Sequence, residues 1–92
     1  MKRIIVLSLI GPTADNLPAV ELVARKIRGA VGMRQCVLVD CEDVEMPLQA
    51  LECLAAEAHP ERVKFCGLSI ADQLVLKHLI NRRQTPQGKK QK

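Results

Sequence analysis

Four cysteines, two histidines and a short acidic run are the residues of this chain whose types could do chemistry. The cysteines are Cys36, Cys41, Cys53 and Cys66. Grouped with His59 and His78 they could hold a metal, and paired they could form disulfides. No two are spaced Cys-x-x-Cys, and the histidines do not stand at zinc-finger spacing, so no metal site is expected. Cys36 and Cys66 fall in strand-like apolar runs and Cys53 in a helix-like run. There a free thiol behaves as a small hydrophobe, so structural core thiols are expected, with redox sensing as the alternative.

The acidic run is Asp40, Glu42, Asp43 and Glu45. Carboxylates at such density could bind a divalent cation, although the spacing matches no metal loop. They could equally stabilise the N-terminus of the next helix, or form a charged patch for a partner. Nucleophilic catalysis has little material: Ser8 is placed in a strand, Ser69 at a helix cap, and neither histidine is linked by spacing to a nucleophile. No carboxylate pair forms an acid–base couple. The first turn, Gly11-Pro12-Thr13-Ala14-Asp15-Asn16, has one glycine and a proline without an N–H, so it makes a poor phosphate cradle. The reading is of a non-enzyme with no catalytic residue and no cofactor.

Composition narrows the partners. The chain has 92 residues, 48% of them apolar, with one Phe and no Trp or Tyr. Base-stacking nucleic-acid modules and aromatic-lined pockets are therefore disfavoured. The net charge of +4 is unevenly placed. Arg82, Arg83, Lys89, Lys90 and Lys92 carry it, while residues 1–81 hold nine basic against ten acidic residues. A nucleic-acid-binding fold would place its basic surface on the folded body. The expected organisation is one domain over residues 1–82 and a disordered basic tail over 83–92. The apolar run from Ile4 to Ile10 is too short to span a bilayer. Met1-Lys2-Arg3 before it faintly resembles a signal peptide, but no small-residue cleavage site follows. A cytoplasmic protein without an integral membrane segment is expected.

The elements that would position these residues alternate along the chain. Arg3 to Ile10 reads as a strand, and its unbroken apolar character predicts burial on both faces. Thr13 to Asn16 offers helix caps, with Pro18 in the first turn. Leu17, Val20, Ala24, Ile27 and Val31 follow at helical spacing, with Gly29 and Gly32 closing the helix. Cys36 to Val39 is a second buried strand. Pro47 opens a second helix with Leu48, Leu51, Leu54, Ala55 and Ala58 inward. Arg62 to Cys66 is a third strand, made partly wet by Lys64. Ser69-x-x-Asp72 forms a capping box for a helix over 70–82 with Ile70, Leu74, Val75 and Leu79 inward. Strand–helix alternation predicts a small α/β sheet of three or four strands, mostly parallel and covered by three helices.

Two stretches carry a resemblance. Leu7-Ser8-Leu9-Ile10-Gly11-Pro12 before a helix, and Val37-Leu38-Val39-Asp40-Cys41-Glu42-Asp43-Val44-Glu45-Met46 before another, resemble the STAS domain. That family includes anti-sigma-factor antagonists, stressosome subunits and the cytoplasmic ends of sulfate transporters. Gly67-Leu68-Ser69 resembles the family's Gly-x-Ser turn before its third helix. The likeness spans residues 3–81 and implies a STAS-like fold with a protein-binding habit. Two departures stand out. The family's extra N-terminal strand has no room before Arg3. Where phosphorylatable members carry Asp-Ser/Thr-Ser-Gly, this chain reads Met46-Pro47-Leu48-Gln49-Ala50, with no Ser or Thr between Cys36 and Leu68.

The resemblance thus implies an adaptor without the phospho-switch. Its partner would be a regulatory kinase, a sigma-control protein or a transporter ATPase. The implied contact surface is Asp40, Glu42, Asp43, Glu45, Leu48, Gln49 and Glu52. The competing expectation is a small nucleotide-sensing domain or enzyme using the C-terminal rim of the strands, with Asp40 and Ser69 converging. A homodimer is a third, because a small sheet leaves edges to cover.

Overall fold

The computed structural model describes residues 2–84, and side chains over 2–82. Strands β1 (Lys2–Val6), β2 (Cys36–Asp40) and β3 (Val63–Cys66) alternate with helices α1 (Leu17–Gly32), α2 (Leu48–Ala55) and α3 (Ile70–Gln84). The three strands form one parallel sheet in the order β1-β2-β3. This is the expected α/β class with its three helices. The expected tail begins later than predicted, since Arg83 and Gln84 belong to α3; residues 85–92 lie outside the described residues.

Local chemistry accounts for the elements. The Asn16 side chain caps α1 by accepting the Ala19 N–H at 3.3 Å, and Pro18 occupies the first turn, where its missing N–H costs nothing. Val20, Val23, Ala24, Ile27 and Ala30 form the buried stripe of α1. Leu17, expected inward, is exposed at the first turn. Arg34, at φ 62°, turns the chain from α1 towards β2, while the Gln35 N–H returns to the Ala30 carbonyl at 2.9 Å. The Ser69 hydroxyl accepts the Asp72 N–H at 3.1 Å at the start of α3.

The first strand is shorter than predicted. Leu7–Ile10 winds into a 3₁₀ turn, which removes Ser8 from the sheet, and the Gly11 N–H bonds the Ser8 carbonyl at 3.2 Å. Leu7 is fully buried there while Leu9 points to solvent.

One topological fact shapes everything else. Strands in sequential order, joined by right-handed crossovers, place α1 and α2 on the same side of the sheet. α3 packs on α2, so the helical layer is one-sided. The inward residues Val37, Val39 and Val63 are buried among α1 and α2, with Leu51, Leu54 and Ala55. The outward residues Lys2, Ile4, Val6, Cys36, Lys64 and Cys66 are exposed. The predicted burial of β1 and β2 on both faces is therefore corrected to burial on one.

Of the residues expected inward on α3, Leu79 packs against the core, while Ile70, Leu74 and Val75 do not. Leu76 is buried, with Leu79 and Ile80 packed beside it, whereas Ile70 and Leu74 are 78% and 64% exposed. Apolar residues occur on every side of α3, so periodicity could not select the inward one.

The one-sided core predicts unequal costs. Leu54→Ala, at a fully buried position under the sheet, should lose about 3 kcal/mol in urea denaturation. Leu22→Ala, on the solvent side of α1, should change stability by no more than about 0.5 kcal/mol.

Candidate functional site

The C-terminal ends of parallel strands collect the loops of an α/β fold. Here the loop after β2 is the acidic run, and three contacts hold it in place. The Glu45 N–H bonds the Pro12 carbonyl at 2.9 Å, and the Ala14 N–H bonds the Glu45 carbonyl at 2.8 Å. These bonds pair Thr13 with Glu45 as a short parallel bridge, and the Thr13 hydroxyl donates to the Glu45 carboxylate at 3.3 Å.

From the other side, the Cys41 N–H bonds the Cys66 carbonyl at 2.8 Å and carries the ladder one step past β2. Gly67 then turns with φ 79° directly against Glu42, where a Cβ would fall 2.5 Å from the Glu42 nitrogen. Only a glycine meets both demands.

Within the loop, side chains alternate. Val44 and Met46 are buried in the core, while Asp43 and Glu45 face solvent. Asp43 adopts φ 62°, a left-handed conformation that Asp tolerates. The Asp40 carboxylate accepts the Glu42 N–H at 3.0 Å, which starts the turn.

The loop and its neighbours border an open hollow of about 660 Å³ that includes Thr13, Asp43, Glu45, Ser69 and Asp72. Asp72 and Thr13 were missed by the sequence reading, although the capping box already placed Asp72 at the first turn of α3 on this rim. Leu48, expected inward on α2, instead projects beside the loop at 55% exposure, with Gln49 and Glu52 also exposed. Pro47 precedes Leu48 as the extended N-cap, and in the first turn of α2 Ala50 and Leu51 enter the core while Leu48 and Gln49 face solvent. Glu52 borders a second groove, with Leu79 and Arg82 of α3.

The predicted surface is thus brought together in part. Asp43 and Glu45 border the hollow, Glu42 lies against Gly67 at its side, Leu48 and Gln49 are exposed at the start of α2, and Glu52 borders the separate groove. Asp40 projects to the helix-free side of the sheet, and it does not line the hollow that holds Ser69. Among the described residues the single ion pair is Arg28–Glu57, and none of them pairs with a rim acid.

The serine and histidine side chains stand apart from one another in the fold. Ser69 is occupied as a cap, and His59 accepts the Glu61 N–H at 3.3 Å through Nδ1. His78 is exposed on α3. Among the described residues no three His, Cys, Asp or Glu side chains stand together as a metal site.

The cysteines divide by face. Cys36 and Cys66 are exposed on the outer side of the sheet, which corrects their expected place in the core. Cys41 is buried, and burial, together with the nearby Cys66, Asp40 and Asp72, pushes its thiol up to about 12. Burial also raises the half-buried Cys53, with Glu21 and Glu57 adding to it.

Comparison with family models, with characterised proteins and with solved structures finds no match to this chain.

Two outcomes test this geometry. Gly67→Ala should cost roughly 2 kcal/mol in urea denaturation from strain and clash. Gly11→Ala, whose nearest foreign atom lies 3.9 Å from the added Cβ, should cost less. In native protein at mildly alkaline pH, a maleimide should label Cys36 and Cys66 rapidly and leave Cys41 unmodified, as read by peptide mass spectrometry.

Proposed function

We propose that this chain is a non-enzymatic protein-binding adaptor of STAS-like organisation that docks a partner through the acidic rim and the start of α2. The observation carrying this reading is Leu48. It is a large aliphatic side chain held out to solvent at the start of α2, where the loop carrying Glu42, Asp43 and Glu45 ends, and those acids are all exposed and without basic partners among the described residues. An apolar anchor ringed by like charge suits a complementary protein surface: the anchor supplies affinity and the charges steer approach.

The missing hydroxyl shapes how such an adaptor is regulated. Phosphate added at a helix N-terminus changes local charge by up to about −2, which can eject a docked partner. With Pro47, Leu48 and Gln49 at that turn, this surface has no such switch, and its binding is constitutive. A regulatory kinase, a sigma-control protein or a transporter ATPase with a basic docking face fits this chemistry.

The rival use of the rim, as a nucleotide-sensing or catalytic cleft, meets a physical objection. Asp43, Glu45 and Asp72 border the place a phosphate would occupy. The strand order β1-β2-β3 also lacks the reversal at which open α/β sheets form a ligand crevice.

The test uses the partner recovered by affinity capture of the intact chain. The double variant Glu42→Lys, Asp43→Lys should slow association about tenfold and flatten its salt dependence. Leu48→Asp should chiefly speed dissociation. Unchanged kinetics in both variants would remove the rim from the interface.

A further inference from the structure

The helix-free side of the sheet is chemically unlike a solvent face. Its rows, set by the strand register, are Lys2 with Cys36, then Ile4 with Leu38 and Lys64, then Val6 with Asp40 and Cys66. Ile4 is 60% and Val6 37% exposed, and Leu38 lies at the centre. Parallel strands are ordinarily buried on both faces, and β1 and β2 carry the unbroken apolar sequence that goes with such burial. The sequence is written for two covering layers, and the helices supply one.

The charges on this face are graded along the strands. Lys2, Arg62 and the exposed Glu61 stand at the N-terminal end, bordering a hollow of about 460 Å³ floored by Cys36 and Leu38; the Arg62 guanidinium donates to the Arg34 carbonyl at 2.6 Å, so Lys2 is the basic group with no hydrogen bond among the described residues there. Asp40 stands at the C-terminal end, with Glu42 just beyond it. Such a surface is complementary to itself in one orientation. Stacked on a second copy with strands antiparallel, Lys2 and Arg62 of each copy approach Asp40 of the other, and Leu38 meets Leu38 at the centre. Stacked with strands parallel, Lys2 would face the other copy's Arg62 end, and Asp40 would face Asp40. In the antiparallel arrangement Lys64, on the edge strand β3, lies opposite the other copy's Lys64, and its long stem lets the ammonium turn out to water at the edge.

We propose that the bare sheet face is the contact between two copies of this chain, stacked with antiparallel strands about a two-fold axis near Leu38. This inference goes beyond the adaptor reading and does not rest on it, since the contact lies on the sheet face and the adaptor surface on the rim. Isologous two-fold contacts are the commonest way a soluble chain covers such a surface. The face is only three short strands wide, so the pair belongs with the weaker, concentration-dependent associations.

Sedimentation equilibrium of the full chain, from low to several hundred micromolar, reads the outcome. The mass should rise from one chain towards two. Leu38→Glu should weaken association by about tenfold or more, given its central position. Ile4→Lys, on an exposed edge position that folding does not depend on, should do the same while the circular dichroism spectrum is retained. Lys2→Glu should also weaken the pair, and adding Asp40→Lys should restore it. A mass of one chain throughout overturns the proposal. So does a dimer indifferent to Leu38→Glu and Ile4→Lys, because its contact then lies elsewhere, as does failure of the charge exchange to restore association.

Discussion

A parallel sheet can be wound in either direction from its first strand, and this chain winds in one direction only. The β1-β2-β3 order and the constant hand of its crossovers place the helices on a single side. From that constraint follow the one-sided core, the exposed cysteines of β2 and β3, and the apolar outer rows of Ile4, Val6 and Leu38. The same winding sends every strand-to-helix loop to one end of the sheet. There the acidic run, the Gly11–Asn16 turn and the start of α3 meet.

That end is held together by backbone more than by side chains. The reciprocal bonds between Pro12–Ala14 and Glu45 tie the first loop to the second, and the close approach of Gly67 to Glu42 ties the second to the third. Because backbone atoms do this work, the carboxylates of Glu42 and Asp43 are left exposed to solvent. Leu48 is exposed because the first turn of α2 turns Ala50 and Leu51 to the core and leaves Leu48 on the opposite side. Exposed acids without basic partners among the described residues and an exposed aliphatic side chain are what the proposed docking role draws on.

Much of this was legible in the residues. Alternating apolar runs and caps predict the order of elements, and Asn16, Pro18 and Ser69 mark the helix starts closely. The departures have identifiable causes. An unbroken run such as Ile4-Ile5-Val6-Leu7 cannot say which of its faces finds a cover within the same chain, so Cys36, Cys66 and Ile4 were placed inside. The run also hides the point where β1 gives way to a 3₁₀ turn. In α3, apolar residues on all sides leave the inward stripe undetermined until α2 selects Leu76, Leu79 and Ile80. At the rim, Thr13 and Asp72 are distant in sequence from the acidic run, and only the collection of loops at one sheet end joins them to it.

The two proposed contact surfaces, the bare sheet face and the acidic rim, lie on different parts of the fold. A photo-crosslinking amino acid placed singly at Leu38, Leu48 and Leu22, in the intact chain in its native cellular extract, tests both at once. Adducts to a second copy from Leu38, to a different protein from Leu48, and to nothing from Leu22 are the predicted result. No adduct from Leu38 or Leu48, or equal yields from all three positions, would contradict it.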